Sequence, residues 1–246
     1  MKYLAITLLL CFASSAYCTE KQLISAFTYH KKPPLIISQE KESGLYYDFI
    51  RYLNKHSKHY VFELIYVPRK RIERMLNSNN FNGIIIGVSP IWFNDQNEQK
   101  YLWTSRIFTD RDEVVSLKTT AIEYTSASSL TGLTFGGVRG FYYQGINQAV
   151  ESGTIKRVDT TMEITLFDML LNRRIDVAII SRTTFDYMVK IHHWQSTFNL
   201  SKQPHEIYDR RVLFPHTLPI AYQHVSEIVE SMQNDEHWQV TSMQYR

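Results

Sequence analysis

Short apolar runs alternate along this chain with stretches whose apolar residues recur at helical spacing, and that alternation predicts the fold class. Residues 23–38, LISAFTYHKKPPLIIS, read as a strand that turns at 31–34, because two consecutive prolines cannot both donate to a central ladder. Gly44 then precedes YYDFIRYLNKHS, in which Tyr47, Ile50, Tyr52 and Leu53 form an imperfect helical stripe. YVFELIYVP is a strand stopped by Pro68, and RKRIERMLNSNN (69–80) is a short helix with Ile72, Met75 and Leu76 facing a core. FNGIIIGVSP is a continuous apolar strand of the kind buried on both faces of a parallel sheet.

The rhythm restarts after residue 130. LTGLTFGGVRG predicts a strand, FYYQGINQAVESG a helix ending at Gly153, and IKRVDT a strand. Thr160 or Thr161 is placed to cap a helix over 161–174, with Thr160 and Glu163 at capping-box spacing. IDVAIIS is a second buried-strand run and RTTFDYMVKIHHW another helix. The class is therefore α/β, in two units of roughly 100 residues each, joined near 103–120. The tail, 226–240, has helical periodicity through Ile228, Val229 and Met232 and could close either unit.

The first eighteen residues change the picture of where this fold works. Lys2, an apolar run from Leu4 to Ala13, and small residues at Ser14-Ser15-Ala16 or Ala16-Tyr17-Cys18 have the form of a secretory signal, and the run is too short to span a bilayer. The expected location is the periplasm. A lipid anchor needs a small residue before the modified cysteine, and Tyr17 before Cys18 or Leu10 before Cys11 does not supply it. These are the only two cysteines, so the exported chain is expected to carry no disulfide. With 27 Lys and Arg against 24 Asp and Glu, and no long charge block, nucleic acid is not an expected partner.

Several segments resemble extracellular solute-binding proteins of family 3, the polar amino-acid type of two-lobe periplasmic receptors. AFTYHKKPPLI is similar to that family's opening strand and aromatic-then-proline turn, and GLYYDFIRYLNK to its glycine-aspartate helix start, with Gly44 and Asp48 in the matching places. FNGIIIGVS followed by WTSRIF resembles the strand that ends at the cleft and the segment before the crossover. LTGLTFGGVRG resembles the first strand of the second lobe, and NRRIDVAIIS its helix-to-strand step, Arg173 to Asp176. The resemblance implies a periplasmic binding protein-like type II fold, two α/β lobes joined by a two-stranded hinge, closing on a ligand. The implied division is a signal at 1–18, one lobe from 19–112 plus 213–246, and the other from 113–212.

The departures narrow the ligand. Family members that bind amino acids carry an arginine just after the first lobe's third strand, and there is none here between Gly87 and Ser105. Their amino-group acid follows the second lobe's buried strand, where this chain has Ser181 and Arg182. With both clamps missing, the expected ligand is a small polar or aromatic solute, or an anion gripped by Arg139 or Arg182, rather than a standard α-amino acid. The candidate ligand residues are Tyr29 at a strand end and Trp92 after a buried strand. Ser105 precedes the crossover, and Arg139, Gly140, Phe141 and Tyr142 lie where a strand meets a helix N-terminus. Thr160, Ser181 and Arg182 complete the set.

No cofactor or metal is expected: His192 and His193 are adjacent on a helix and point apart, and no phosphate loop or nucleophile elbow occurs. The expected role is non-catalytic binding for transporter uptake or sensing, by a monomer working with an inner-membrane permease or sensor. A lyase acting on a small carboxylic acid and a ligand-responsive interaction module are the alternatives on the same fold.

Overall fold

The strand predicted to turn at 31–34 leaves the sheet a few residues ahead of that turn. In the computed structural model, which describes residues 20–78 and 81–245, β1 spans Gln22–Thr28, and Tyr29 to Lys32 leave the sheet ahead of the cis Pro33–Pro34 turn. The signal segment, both cysteines and the last residues of the predicted 69–80 helix lie outside the described residues. Helix α1 (Leu45–His56) starts after Gly44, whose φ of 126° and close backing by the Leu35 carbonyl, 2.7 Å from a Cβ built there, leave no room for a side chain. β2 (Tyr60–Tyr66) runs parallel to β1 along its whole length. α2 (Arg69–Leu76) and the fully buried β3 (Ile84–Val88) complete this half, β3 pairing with the other side of β1.

The second half repeats the plan. β6 (Thr134–Val138) lies parallel between β7 (Lys156–Thr160) and β8 (Val177–Ser181), with α3 (Ile146–Glu151), α4 (Thr165–Leu171) and α5 (Arg182–His192) as its helices. Two long strands join the halves. β5 (Phe108–Leu117) and β10 (Glu206–Phe214) pair antiparallel over Phe108–Asp112 and Glu206–Arg210; β5 then continues against β8, and β10 against β3. The result is one curled mixed sheet in the order β2-β1-β3-β10-β5-β8-β6-β7, with β4 (Leu102–Trp103) on β10 and β9 (Phe198–Leu200) on β5. Two α/β lobes hang on this pair of shared strands.

Three local expectations give way to tertiary constraints. The helix predicted from 141 begins only at Ile146, after Gly145 with φ 76°, so Phe141 to Gln144 form an open loop. The helix predicted from 161 begins at Thr165, and no capping box forms: Thr160 is the last residue of β7, and the Glu163 carboxylate is drawn into the space between the lobes. The tail is two helices, α6 (Pro219–Met232) and α7 (Glu236–Met243), broken where Asp235 accepts from the His237 and Trp238 amides. Both pack on the first lobe: Val225, Val229, Met232 and Trp238 share a core with Phe49, Leu53 and Ile84.

Candidate functional site

Tyr29 and His30 follow β1, Trp92 sits in a single 3-10 turn after β3, Gly140 to Tyr143 follow β6, and Glu163 follows β7. All therefore stand at carboxyl ends of parallel strands, where an open α/β sheet leaves a crevice. With Asp112 from β5 and Tyr208 and Arg210 from β10 they line a narrow cleft between the lobes, with a cavity volume of about 60 Å³. The walls are largely aromatic. Phe141 of the second lobe meets Tyr29 edge-on at 5.7 Å and His30 at 6.0 Å, while Trp92 stands 5.7 Å from His30 and 4.6 Å from Tyr208.

Three cations line the cleft, and each is already paired. The fully buried Arg210 donates from Nε to Asp110 Oδ2 at 2.9 Å, from Nη1 to the Gly87 carbonyl at 3.0 Å and from Nη2 to Tyr208 Oη at 3.1 Å. Gly87 makes this possible: at φ 73°, a Cβ there would lie 1.8 Å from Tyr46 Oη, which also faces Arg210. Arg69 donates to Glu73 Oε1 at 3.0 Å, to Tyr29 Oη at 2.8 Å and to the Trp92 carbonyl. Lys32 crosses the cleft. Its Nζ donates to Glu163 Oε2 at 2.6 Å and to Ser181 Oγ at 2.8 Å, and Glu163 Oε1 in turn accepts from the Ser181 amide at 2.9 Å. Lys32 is 4% exposed and Glu163 6%, so this ion pair joins the two lobes out of contact with water.

The ionisation states follow from these neighbours. Burial would raise the Asp110 carboxyl, but the Arg210 guanidinium and the Lys32 ammonium outweigh it and hold it below the usual range. Asp112 lacks so close a partner; burial pushes it up to about 7, against the pull of Lys32 and with the push of Glu163. His30 is held well below its ordinary value by burial first and then by Arg210, Lys32 and Arg69. It is a neutral imidazole, 3% exposed, and among the described residues neither ring nitrogen makes a well-formed hydrogen bond. Buried polar atoms are rarely left so, and these two border the cleft.

Of the residues singled out in the sequence, Tyr29, Trp92, Gly140, Phe141 and Tyr142 line the cleft. Ser181 lies just behind it, against Lys32 and Glu163. Ser105 has a buried hydroxyl with no partner and is not in the lining. Arg139 is exposed beyond β6, and Thr160 gives its carbonyl to the Arg139 amide, so neither side chain lines the cleft. Arg182 turns to Asp186 and Glu113 and borders a separate groove behind the hinge strands. An anion grip by Arg139 or Arg182 thus has no place in this cleft.

The residues missed include His30, Lys32, Arg69, Asp112, Glu163, Tyr208 and Arg210. Lys32 carried the one available signal, its position beside the Pro33-Pro34 turn. Glu163 stands at capping-box spacing from Thr160, and Arg69 and Arg210 each adjoin further basic residues in the sequence, a pattern more typical of a solvated surface.

No family model matches the chain, and no curated protein does. Solved structures do. An ancestral arginine-binding protein bound to arginine superposes with a TM-score of 0.73 at 13% identity, over 92% of this chain and 98% of its own. An ancestral amino-acid-binding protein described as a precursor of cyclohexadienyl dehydratase gives 0.70 at 13%, over 91% and 95%. The GluR0 ligand-binding core from Nostoc punctiforme in complex with L-glutamate gives 0.70 at 12%, over 91% and 98%. At these identities the likeness is one of architecture: the chain has the two-lobed type II periplasmic-binding-protein fold, the scaffold of cleft-type ligand binding.

Proposed function

We propose that this protein binds a small, uncharged polar or aromatic solute between its lobes, without catalysis, after export to the periplasm. The observation that carries the reading is the internal neutralisation of the cleft. Lys32 is matched by Glu163, Arg69 by Glu73 and Arg210 by Asp110, so the carboxylate of an amino acid would have to displace an acid already paired with whichever cation it met, and the Lys32 and Arg210 pairs are buried. Displacing one partner of such a pair leaves the other charge buried and uncompensated, at a cost of about 3–5 kcal/mol. What the cleft still offers is hydrogen bonding from neutral His30 and stacking on Tyr29, Trp92, Phe141 and Tyr208.

The hinge reading takes 19–112 plus 213–246 as one moving unit and 113–212 as the other, with closure around the solute as the functional event. Support for a transporter partner is by analogy with a solved structure that shares the fold, the substrate-binding protein of an amino-acid ABC transporter.

Thermal unfolding of the purified protein against neutral aromatic solutes, amino acids, sugars and small anions tests the proposal, since a ligand specific to the native state raises the midpoint by mass action. The expected result is a rise with neutral aromatic or polar compounds and none with α-amino acids. A rise confined to amino acids would overturn it. Trp92→Ala is expected to weaken the responding solute about tenfold, or about 1.4 kcal/mol, with the unliganded midpoint nearly unchanged.

A further inference from the structure

Beside the solute cleft, on the rim built by the hinge strands, three side chains of metal-ligating type converge. Asp112 lies on β5 and Glu206 opens β10, and the two are directly opposed in the antiparallel ladder, so their side chains share one face. His205 immediately precedes β10, and its amide donates to the Asp112 carbonyl at 2.8 Å. One donor atom from each of the three lies within 4.8 Å of the others. A tetrahedral ion with bonds of about 2.1 Å holds its donors about 3.4 Å apart, a contraction that side-chain rotation alone can supply.

The state of the histidine is the independent observation. His205 Nε2 lies 2.9 Å from the Gln144 carbonyl oxygen. A carbonyl can only accept, so Nε2 carries the proton, and in a neutral imidazole Nδ1 then presents a bare lone pair. That Nδ1 is buried and, among the described residues, has no hydrogen-bond partner. A ring fixed by a backbone carbonyl through one nitrogen, with the other free, is the arrangement that outer partners impose on metal-bound histidine. The Asp112 carboxylate is similarly prepared. Tyr208 Oη donates to Asp112 Oδ1 at 2.8 Å, leaving Oδ2 available. Among the described residues, no lysine or arginine forms an ion pair with Asp112 or Glu206.

We propose that Asp112, His205 and Glu206 form a binding site for a divalent first-row transition-metal ion, of the zinc class, at the rim of the cleft. One imidazole and two carboxylates suit Zn²⁺ or Co²⁺ better than the all-oxygen shells that Mg²⁺ and Ca²⁺ require. Three protein ligands leave a fourth position open, and because Asp112 also lines the solute cavity, that position adjoins the cavity. Two of the three ligands lie on the hinge pair and His205 directly precedes it, so the ion would sit where the two lobes turn on each other. This goes beyond the solute-binding reading and does not depend on it.

The test is to titrate the chelator-treated protein with Co²⁺, following visible absorption, and then to displace it with Zn²⁺ and count the zinc retained after dialysis. The expected result is one ion per chain, tetrahedral-type cobalt absorption, and a raised unfolding midpoint. His205→Gln and Glu206→Gln, each checked for folding by circular dichroism, are expected to weaken retention at least tenfold. His192→Gln, on the exposed end of α5, should leave it unchanged. Absence of retained metal overturns the site, as does equal retention by the folded Glu206→Gln and His205→Gln proteins, or loss of retention in His192→Gln. Solute response measured in chelator separates failure of this site from failure of the solute-binding reading.

Discussion

Two buried ion pairs stand about the same cleft and do different work. Arg210 and Asp110 both come from the hinge strands, with side chains 0% and 1% exposed, and the antiparallel ladder from Glu206 to Arg210 holds their backbones together whatever the lobes do. Lys32 and Glu163 are almost as dry, at 5% and 6%, yet one belongs to each lobe and no ladder joins them. The chemistry is nearly the same, and the connectivity differs. A pair within the ladder can be broken only by unfolding, so it contributes to stability. A pair across the cleft is also broken by opening, which returns both charges to water, so it contributes to the balance between open and closed lobes.

The sharpest way to break this comparison is to remove one member of each pair. Arg210→Met leaves Asp110 buried without its cation and is expected to cost about 3–5 kcal/mol in urea unfolding. A loss under about 1 kcal/mol would show that the hinge pair is not structural. Lys32→Met is expected to cost less, below about 2 kcal/mol, because Glu163 can be rehydrated by lobe opening. The same variant should have a larger radius of gyration by small-angle scattering. An unchanged radius together with a loss as large as that of Arg210→Met would erase the distinction.

The smallest effect concerns pH. His30 has its folded pKa pushed below the ordinary 6.5 by burial and by the cations of both pairs. Below 6.5 the unfolded chain therefore binds a proton that the folded chain resists. The stability His30 contributes is complete above that pH and is lost as pH falls through it toward the folded value. His30→Leu should flatten the fall in stability between pH 7 and pH 5 relative to the parent protein, and parallel curves for the two proteins would remove His30 from this role.

The alternation of apolar runs and amphipathic stretches was enough to read the α/β class, because the periods of strand and helix are local properties of the chain. The fully buried β3 and β8 were legible for that reason. β10 was not, since its alternation is interrupted by Asp209, Arg210 and Arg211, of which the two arginines are neutralised by Asp110 and Glu98 elsewhere in the chain. The segment from Phe141 to Gln144 has a helix-like pattern but forms an open loop, because Phe141 packs across the cleft and Gly145 turns the chain at φ 76°.

Five of the ten residues marked in the sequence, Tyr29, Trp92, Gly140, Phe141 and Tyr142, line the cleft because strand ends are where an α/β sheet presents side chains to a ligand, and strand ends can be found from sequence alone. The charges could not be assigned that way. Lys32 and Glu163 are 131 residues apart, and Asp110 and Arg210 100; which acid meets which base depends on how the lobes and hinge strands are brought together. The sequence by itself determined an α/β chain with aromatic residues at its strand ends and without the usual amino-acid clamps. Only the tertiary structure decided that the cleft's cations are already neutralised, because Coulomb and desolvation energies depend on distance and burial and not on position along the chain.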